Sequence, residues 1–296
     1  MHKIPVGQTI ASAYRFLFSE IGTILGICWF PAVLSSLASY LTYLYAALHQ
    51  ADLAGGDVRV RAVYFFVTIL GLAVTIFAAS VMAVAITRHV LGRRVTGVIA
   101  YFAIGPAEWR MFLASIRYIA GACSTIVLAV LIADLVFRVT GVPVDGAEPI
   151  RATAPEIGAA IIAWIAFIAA FVVILRLGFF IPPTIVAENH GGLRRSFELT
   201  GGNVLRVFAV IAVLGFPFLL LLVGGEFVLI RSALGPAMYS MNPAEFVQRA
   251  GQAMQAKLLP WEIFTAVVFI LGSGLIYGGA AIAYRARIGN DAPISF

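Results

Sequence analysis

The chain has 296 residues, 61% of them hydrophobic and only 11% charged, with a formal net charge of +6. Soluble domains carry roughly 25% charged residues. The composition therefore excludes an ordinary soluble enzyme or nucleic-acid-binding domain and points to the membrane.

In chain order, the first segment is MHKIPVGQTIASAYRFLF. It sets Val6, Ile10, Tyr14 and Leu17 on one helical face, with Gln8, Ser12 and Arg15 opposite. This pattern predicts an amphipathic helix lying in the membrane interface. The apolar run behind it starts late, at Ile21, and is too long for a signal-peptide core, so it reads as a retained first span. Residues 21–51, 62–87, 157–175, 207–225 and 263–284 contain no Asp, Glu, Lys or Arg, and residues 111–133 contain only Arg117. A spanning helix needs about 20 mostly apolar residues. In lipid the backbone must satisfy its own hydrogen bonds, and barrel strands would alternate. The expected fold is all-α: a polytopic membrane protein with six transmembrane helices in a single domain over residues 1–296. The spans fall at about 21–47, 62–87, 111–134, 157–185, 204–230 and 262–285.

Before the third span, GPAEWRMFLASIR groups Trp109, Phe112, Leu113 and Ile116 opposite Arg110 and Arg117, a second interfacial helix. Pro106 and Glu108 suit its first turn. Thr153 to Glu156 would cap the fourth span, which Pro182 and Pro183 should kink. Between spans four and five, AENHGGLRRSFELTGGN (187–203) gives a third short amphipathic helix. Arg194, Arg195 and Glu198 share one sector, and Leu193, Ser196, Phe197 and Thr200 lie opposite. Gly-Gly pairs on either side supply bends. Three interfacial helices, each followed by a hairpin, suggest three helix-hairpin units. NPAEFVQRAGQAMQAKLL, with Asn242 as cap, predicts one more interfacial helix on the other face. In the last span the Gly274–Gly278 pair predicts close helix packing.

Lys and Arg bias sets orientation. The N-terminal segment, the loops after spans two and four, and the C-terminal segment hold most of the 20 basic residues. They include Lys3, Arg15, Arg93, Arg94, Arg110, Arg194, Arg195, Arg206, Arg285 and Arg287. These segments, with both ends of the chain, are expected to be cytoplasmic.

RLGFFIPPTIVAENHGGLRRSFELTGGNVLRVF (176–208) resembles the signature region of the membrane domain attached to some bacterial glycerophosphoryl diester phosphodiesterases. It also resembles related stand-alone six-helix bacterial inner-membrane proteins of unknown function. The matching elements are Arg176-Leu177, Pro182 or Pro183, Glu188, Arg195-Ser196-Phe197, Leu199-Thr200 and Gly202-Asn203. VGQTIASAYRFLFSEIGTIL and AAIAYRARIG are similar to that family's ends. In that family the phosphodiesterase chemistry sits in a separate soluble domain, so the resemblance implies a membrane module without catalysis.

The residues themselves agree. His2, His49, His89 and His190 are far apart, and none fits a zinc motif such as HExxH. Cys28 and Cys123 form no CxxC. No acid–base or nucleophile–base arrangement can be assembled, so no catalytic residue, metal or cofactor is expected. The candidate headgroup or anion-binding residues are Arg176, Arg194, Arg195, Ser196 and Asn203, with Glu188 as a structural or functional partner. Two readings of Arg176 stay open. Either span four ends near it and it snorkels to the interface, or the span runs on and Arg176 binds an anion with Arg194 and Arg195. The expected function is non-enzymatic: binding of membrane lipid, anionic phospholipid above all, or of a partner at the basic cytoplasmic face, in membrane or envelope homeostasis. A small-molecule or lipid transporter or channel is the alternative, motivated by Pro31, Pro217 and the kinked fourth span.

Overall fold

The computed structural model describes residues 2–92, 103–140, 154–189, 192–235 and 242–289. Arg93, Arg94, Thr153, His190, Gly191 and Asp291 lie outside the described residues. Among the described residues every regular element is helical. They are α1 (Val6–Ser19), α2 (Ile21–Leu48), α3 (Gln50–Gly55), α4 (Val58–Val90), α5 (Pro106–Thr140), α6 (Ala154–Gly178), α7 (Ile181–Glu188), α8 (Leu193–Thr200), α9 (Val204–Leu234), α10 (Pro243–Ala256) and α11 (Leu258–Ile288). Among the described residues six helical spans are long and apolar enough to cross a membrane: α2, α4, α5, α6 with α7, α9 and α11. The chain has the build of a polytopic, all-α membrane protein.

Local chemistry explains the boundaries. The Asp57 carboxylate accepts hydrogen bonds from the backbone N–H groups of Arg59 and Val60 at 2.8 and 3.3 Å, capping α4. Pro182 and Pro183 follow the break after Gly178, where a missing N–H costs nothing, so span four is two helices rather than one bent helix. Asn189 ends α7 in the left-handed region, at φ 56°. Pro31 and Pro217 lie inside α2 and α9, which run through them unbroken. The prolines expected to build a broken-helix substrate site do not break these two helices.

The spans pack as hairpins, α2 on α4, α5 on α6 and α9 on α11. The interfacial helices do not follow the same threefold plan. α1 and α8 are separate helices, ended at Glu20 and at Gly201–Gly202, with Gly202 at φ 71°. GPAEWRMFLASIR is instead the opening of the 35-residue helix α5, because no glycine or proline after Pro106 interrupts it before Gly121.

Nor does α1 merely rest on a surface. Its buried face is Thr9, Ala13, Phe16 and Leu17, one step round from the predicted Val6–Ile10–Tyr14–Leu17 stripe. That face enters the core against α11, where glycines make room. A Cβ on Gly278 would lie 2.8 Å from the Phe16 ring, and one on Gly274 would lie 3.1 Å from Ile24. α11 is the axis of the molecule, packed against α1, α2, α4, α7 and α9. At its far end α10 packs on α9, α11 and α2.

Candidate functional site

The last turns of α11, the break between α6 and α7, helix α8 and the N-terminal strand of chain before α1 meet at one end of the bundle. They are joined there by a network of polar contacts, most of it between segments far apart in sequence. α8 sits at its centre. Its buried residues are Ser196, Leu199 and Thr200, and it packs against α6 and α7. The Leu193–Phe197 side, expected to face lipid, is only half-buried. The helix turns hydroxyls inward because carbonyl and amide groups freed by the α6–α7 break need partners. Ser196 Oγ donates to the Arg176 carbonyl at 3.1 Å and accepts from the Phe180 N–H at 3.1 Å. Thr200 Oγ1 lies 3.3 Å from the same Arg176 carbonyl and 2.7 Å from the Ser196 carbonyl.

The three candidate arginines do not converge. The Arg176 guanidinium lies 3.4 Å over the Phe197 ring and donates to the Phe197 carbonyl at 3.2 Å. Its Nε is buried without a hydrogen-bond partner among the described residues. α6 ends two residues beyond it while the fourth span continues through α7, and the guanidinium meets α8. Arg195 forks onto Glu188, Nε to Oε2 at 2.9 Å and Nη2 to Oε1 at 3.1 Å. Tyr284 donates its hydroxyl to the same Oε1 at 2.8 Å. One carboxylate thereby ties α7, α8 and α11 together. The hydrogen bonds to Glu188 raise the Arg195 pKa above its ordinary value. A raised folded-state pKa favours the fold at every pH below the unfolded value, so this tie is constant across the neutral range. Arg194 points the other way. Its side chain is 93% exposed and, among the described residues, is paired only with Glu198 four residues on, at 3.1 Å.

Asn203, only 3% exposed, accepts the Ile4 N–H on its Oδ1 at 3.1 Å, and Arg206 donates to the Ile4 carbonyl at 3.0 Å. The residue that sequence reasoning missed is Arg287, only 6% exposed. It donates to the carbonyls of Leu199 at 3.0 Å, Gly201 at 2.8 Å and His2. The available signal was helical phase, because position 287 continues the buried stripe of Ala280, Ala283 and Tyr284. Also missed was the ion pair of Arg88 with the fully buried Glu108, at 2.7 Å. Beside it His89 Nε2 lies 3.2 Å from Glu20 Oε2.

No family model, no curated protein and no solved structure matches this chain. Among the described residues no group of three or more His, Cys, Asp or Glu side chains is placed to hold a metal ion. What the geometry offers at this end is a rigid plate. Most of its polar side chains are spent on internal ties, while Arg15, Arg117 and Arg194 remain on the outside.

Proposed function

We propose that the chain is a non-enzymatic bacterial inner-membrane protein whose arginine-rich end faces the cytoplasm and binds anionic phospholipid headgroups, in the service of membrane or envelope homeostasis. The observation that carries this reading is the division of labour on α8. Ser196, Leu199 and Thr200 are buried, Arg195 is locked to Glu188, and Arg194 is left outward. An exposed i,i+4 pair such as Arg194–Glu198 is worth only a few tenths of a kcal/mol. A lipid phosphate therefore competes readily for that guanidinium, and each basic residue at an anionic surface adds about 1 kcal/mol. The resemblance of residues 176–208 to the phosphodiesterase-associated membrane domain fits a module of this kind.

The test is native mass spectrometry of the purified chain with phosphatidylglycerol and phosphatidylcholine. Wild type should retain phosphatidylglycerol in preference, and Arg194→Glu should reduce that retention by about fivefold or more. Equal retention of both lipids, or indifference to Arg194→Glu, would overturn the reading.

A second reading, a lipid or small-molecule transporter or channel, is favoured by one observation: a cavity with hydroxyl side chains in its lining between α2, α9 and α11. Accessibility of single cysteines along it to a membrane-impermeant thiol reagent from both sides would support that reading. Accessibility from one side alone would reject it.

A further inference from the structure

The end of α11 opposite the arginines holds an acid that the ties described above do not use. Glu262 is 25 residues from Arg287, on the order of 37 Å along the helix. It is only 7% exposed. No hydrogen bond or ion pair reaches its carboxylate among the described residues; only its backbone carbonyl is engaged, by Thr265 Oγ1 at 3.1 Å. A carboxylate buried in a protein is costly and is ordinarily paired. Glu262 stands where two cavities meet, and both are lined by Ser36, Glu262 and Ala266.

The two cavities differ in character. One, about 460 Å³, runs inward between α2, α9 and α11, and its lining includes Ser35, Ser39, Thr75, Thr265 and Ser273. Ser35 Oγ and Thr75 Oγ1 lie 3.3 Å apart there, bridging α2 to α4. The other, about 480 Å³, is an apolar groove between α2 and α11, lined by Trp29, Val33, Leu37, Leu259, Ile263 and Val267 among others. Along α11 the groove runs from Leu259 to Ile270, roughly 17 Å of helix. That is about half the ~30 Å hydrocarbon thickness, or one leaflet.

We infer that this junction is a binding site for a single amphiphile with an ammonium head and a hydrocarbon chain. The head meets Glu262 and the hydroxyls, and the chain lies in the groove between α2 and α11. Charge complementarity fixes the head. Glu262 is the one acidic side chain among the described residues lining either cavity, and no Lys or Arg lines them. An anionic head would face an unrelieved carboxylate, whereas an ammonium supplies the missing partner as a charge-assisted donor. The groove supplies the place for the chain, and its direction, from the buried acid toward mid-membrane, matches a lipid of the leaflet on that side.

The test uses the full chain in mild detergent, with native mass spectrometry and four probes: dodecylammonium, phosphatidylethanolamine, phosphatidylglycerol and ethanolamine. The site predicts one-to-one binding of dodecylammonium, weakened by at least about tenfold in Glu262→Gln, the ratio for losing one charge-assisted hydrogen bond. Ethanolamine, which has no chain, should bind far more weakly than dodecylammonium. Phosphatidylglycerol, which has no ammonium, should be indifferent to Glu262→Gln. Ala266→Phe, which fills the groove and keeps the acid, should weaken dodecylammonium as well. Phosphatidylethanolamine behaving like dodecylammonium identifies a lipid headgroup as the natural source; its failure to bind beside a binding dodecylammonium identifies a free amine amphiphile. No binding of dodecylammonium to wild type, or equal binding to wild type and Glu262→Gln, overturns the proposal. If Glu262→Gln loses its helical circular dichroism, Ala266→Phe decides: weakened binding supports the site, and unchanged binding overturns it.

Discussion

α11 and the α5–α6 hairpin are both membrane-spanning by length and composition, yet they occupy opposite roles. In the most apolar stretch of α11, 67% of residues are buried inside the protein; in those of α5 and of α6 with α7 the share is 11%. Hydropathy does not foretell this. α2 and α11 are the two least apolar spans, with mean hydropathies of 1.8 and 2.0. The fourth and fifth spans are the most apolar, at 2.7 and 2.8, and only 11% and 17% buried. The physical reason is that lipid is as apolar as leucine, so aliphatic bulk is no handicap on the outside. Inside, helices approach closely through small residues, and α11 carries Gly272, Gly274, Gly278 and Gly279 for that purpose. In a membrane bundle the glycines and hydroxyls mark the core, and the leucines mark its surface.

The contrast can be broken by substitutions on each side. The largest effect is expected from Arg287→Ala, which strips three backbone carbonyls of their donor at a buried position. A loss of about 3–5 kcal/mol should appear in thermal unfolding in detergent. Next comes the pair Leu275→Ala and Leu131→Ala. Leu275 on α11 is fully buried, and its truncation should cost about 2–5 kcal/mol. Leu131 on α5 is 58% exposed, and its truncation should stay within about 0.5 kcal/mol. Similar losses at both sites would end the comparison. Gly278→Ala should cost about 1–3 kcal/mol, because its Cβ would press on the Phe16 ring. The smallest change in stability is expected of Arg194→Ala, within about 0.5 kcal/mol by the same unfolding assay.

The elements that composition controls were legible in the sequence. Five charge-free runs and one run with a single arginine marked the six spans, and the Gly-Gly pair after Thr200 marked the break between α8 and α9. Amphipathic phase was read less well. α1 and α8 were expected to lie in the interface with the apolar face down and the basic face toward lipid phosphates, but their inner faces are buried in the protein and carry Thr9, Ser196 and Thr200. The Ser196 and Thr200 hydroxyls meet backbone groups at the α6–α7 break, a demand that a single helix does not display, while Thr9 Oγ1 is buried without a hydrogen-bond partner among the described residues. The candidate residues Arg176, Arg194, Arg195, Ser196 and Asn203 were chosen as one cluster. Each serves a partner of its own: Arg176 the α8 backbone, Arg194 Glu198, Arg195 Glu188, Ser196 the α6–α7 break and Asn203 Ile4. Arg287 and Glu262 escaped notice because each looks like an end-of-span charge until neighbouring helices bury it.

Headgroup binding requires α8 to lie among lipid headgroups with Arg194 outward. A nitroxide placed at position 194, with the protein in phosphatidylglycerol-containing nanodiscs, measures this by its collision rates with oxygen and with a water-soluble nickel chelate. The expected depth is at the level of the lipid phosphates. A fully aqueous profile, with the chelate as accessible as at a free peptide, would contradict it.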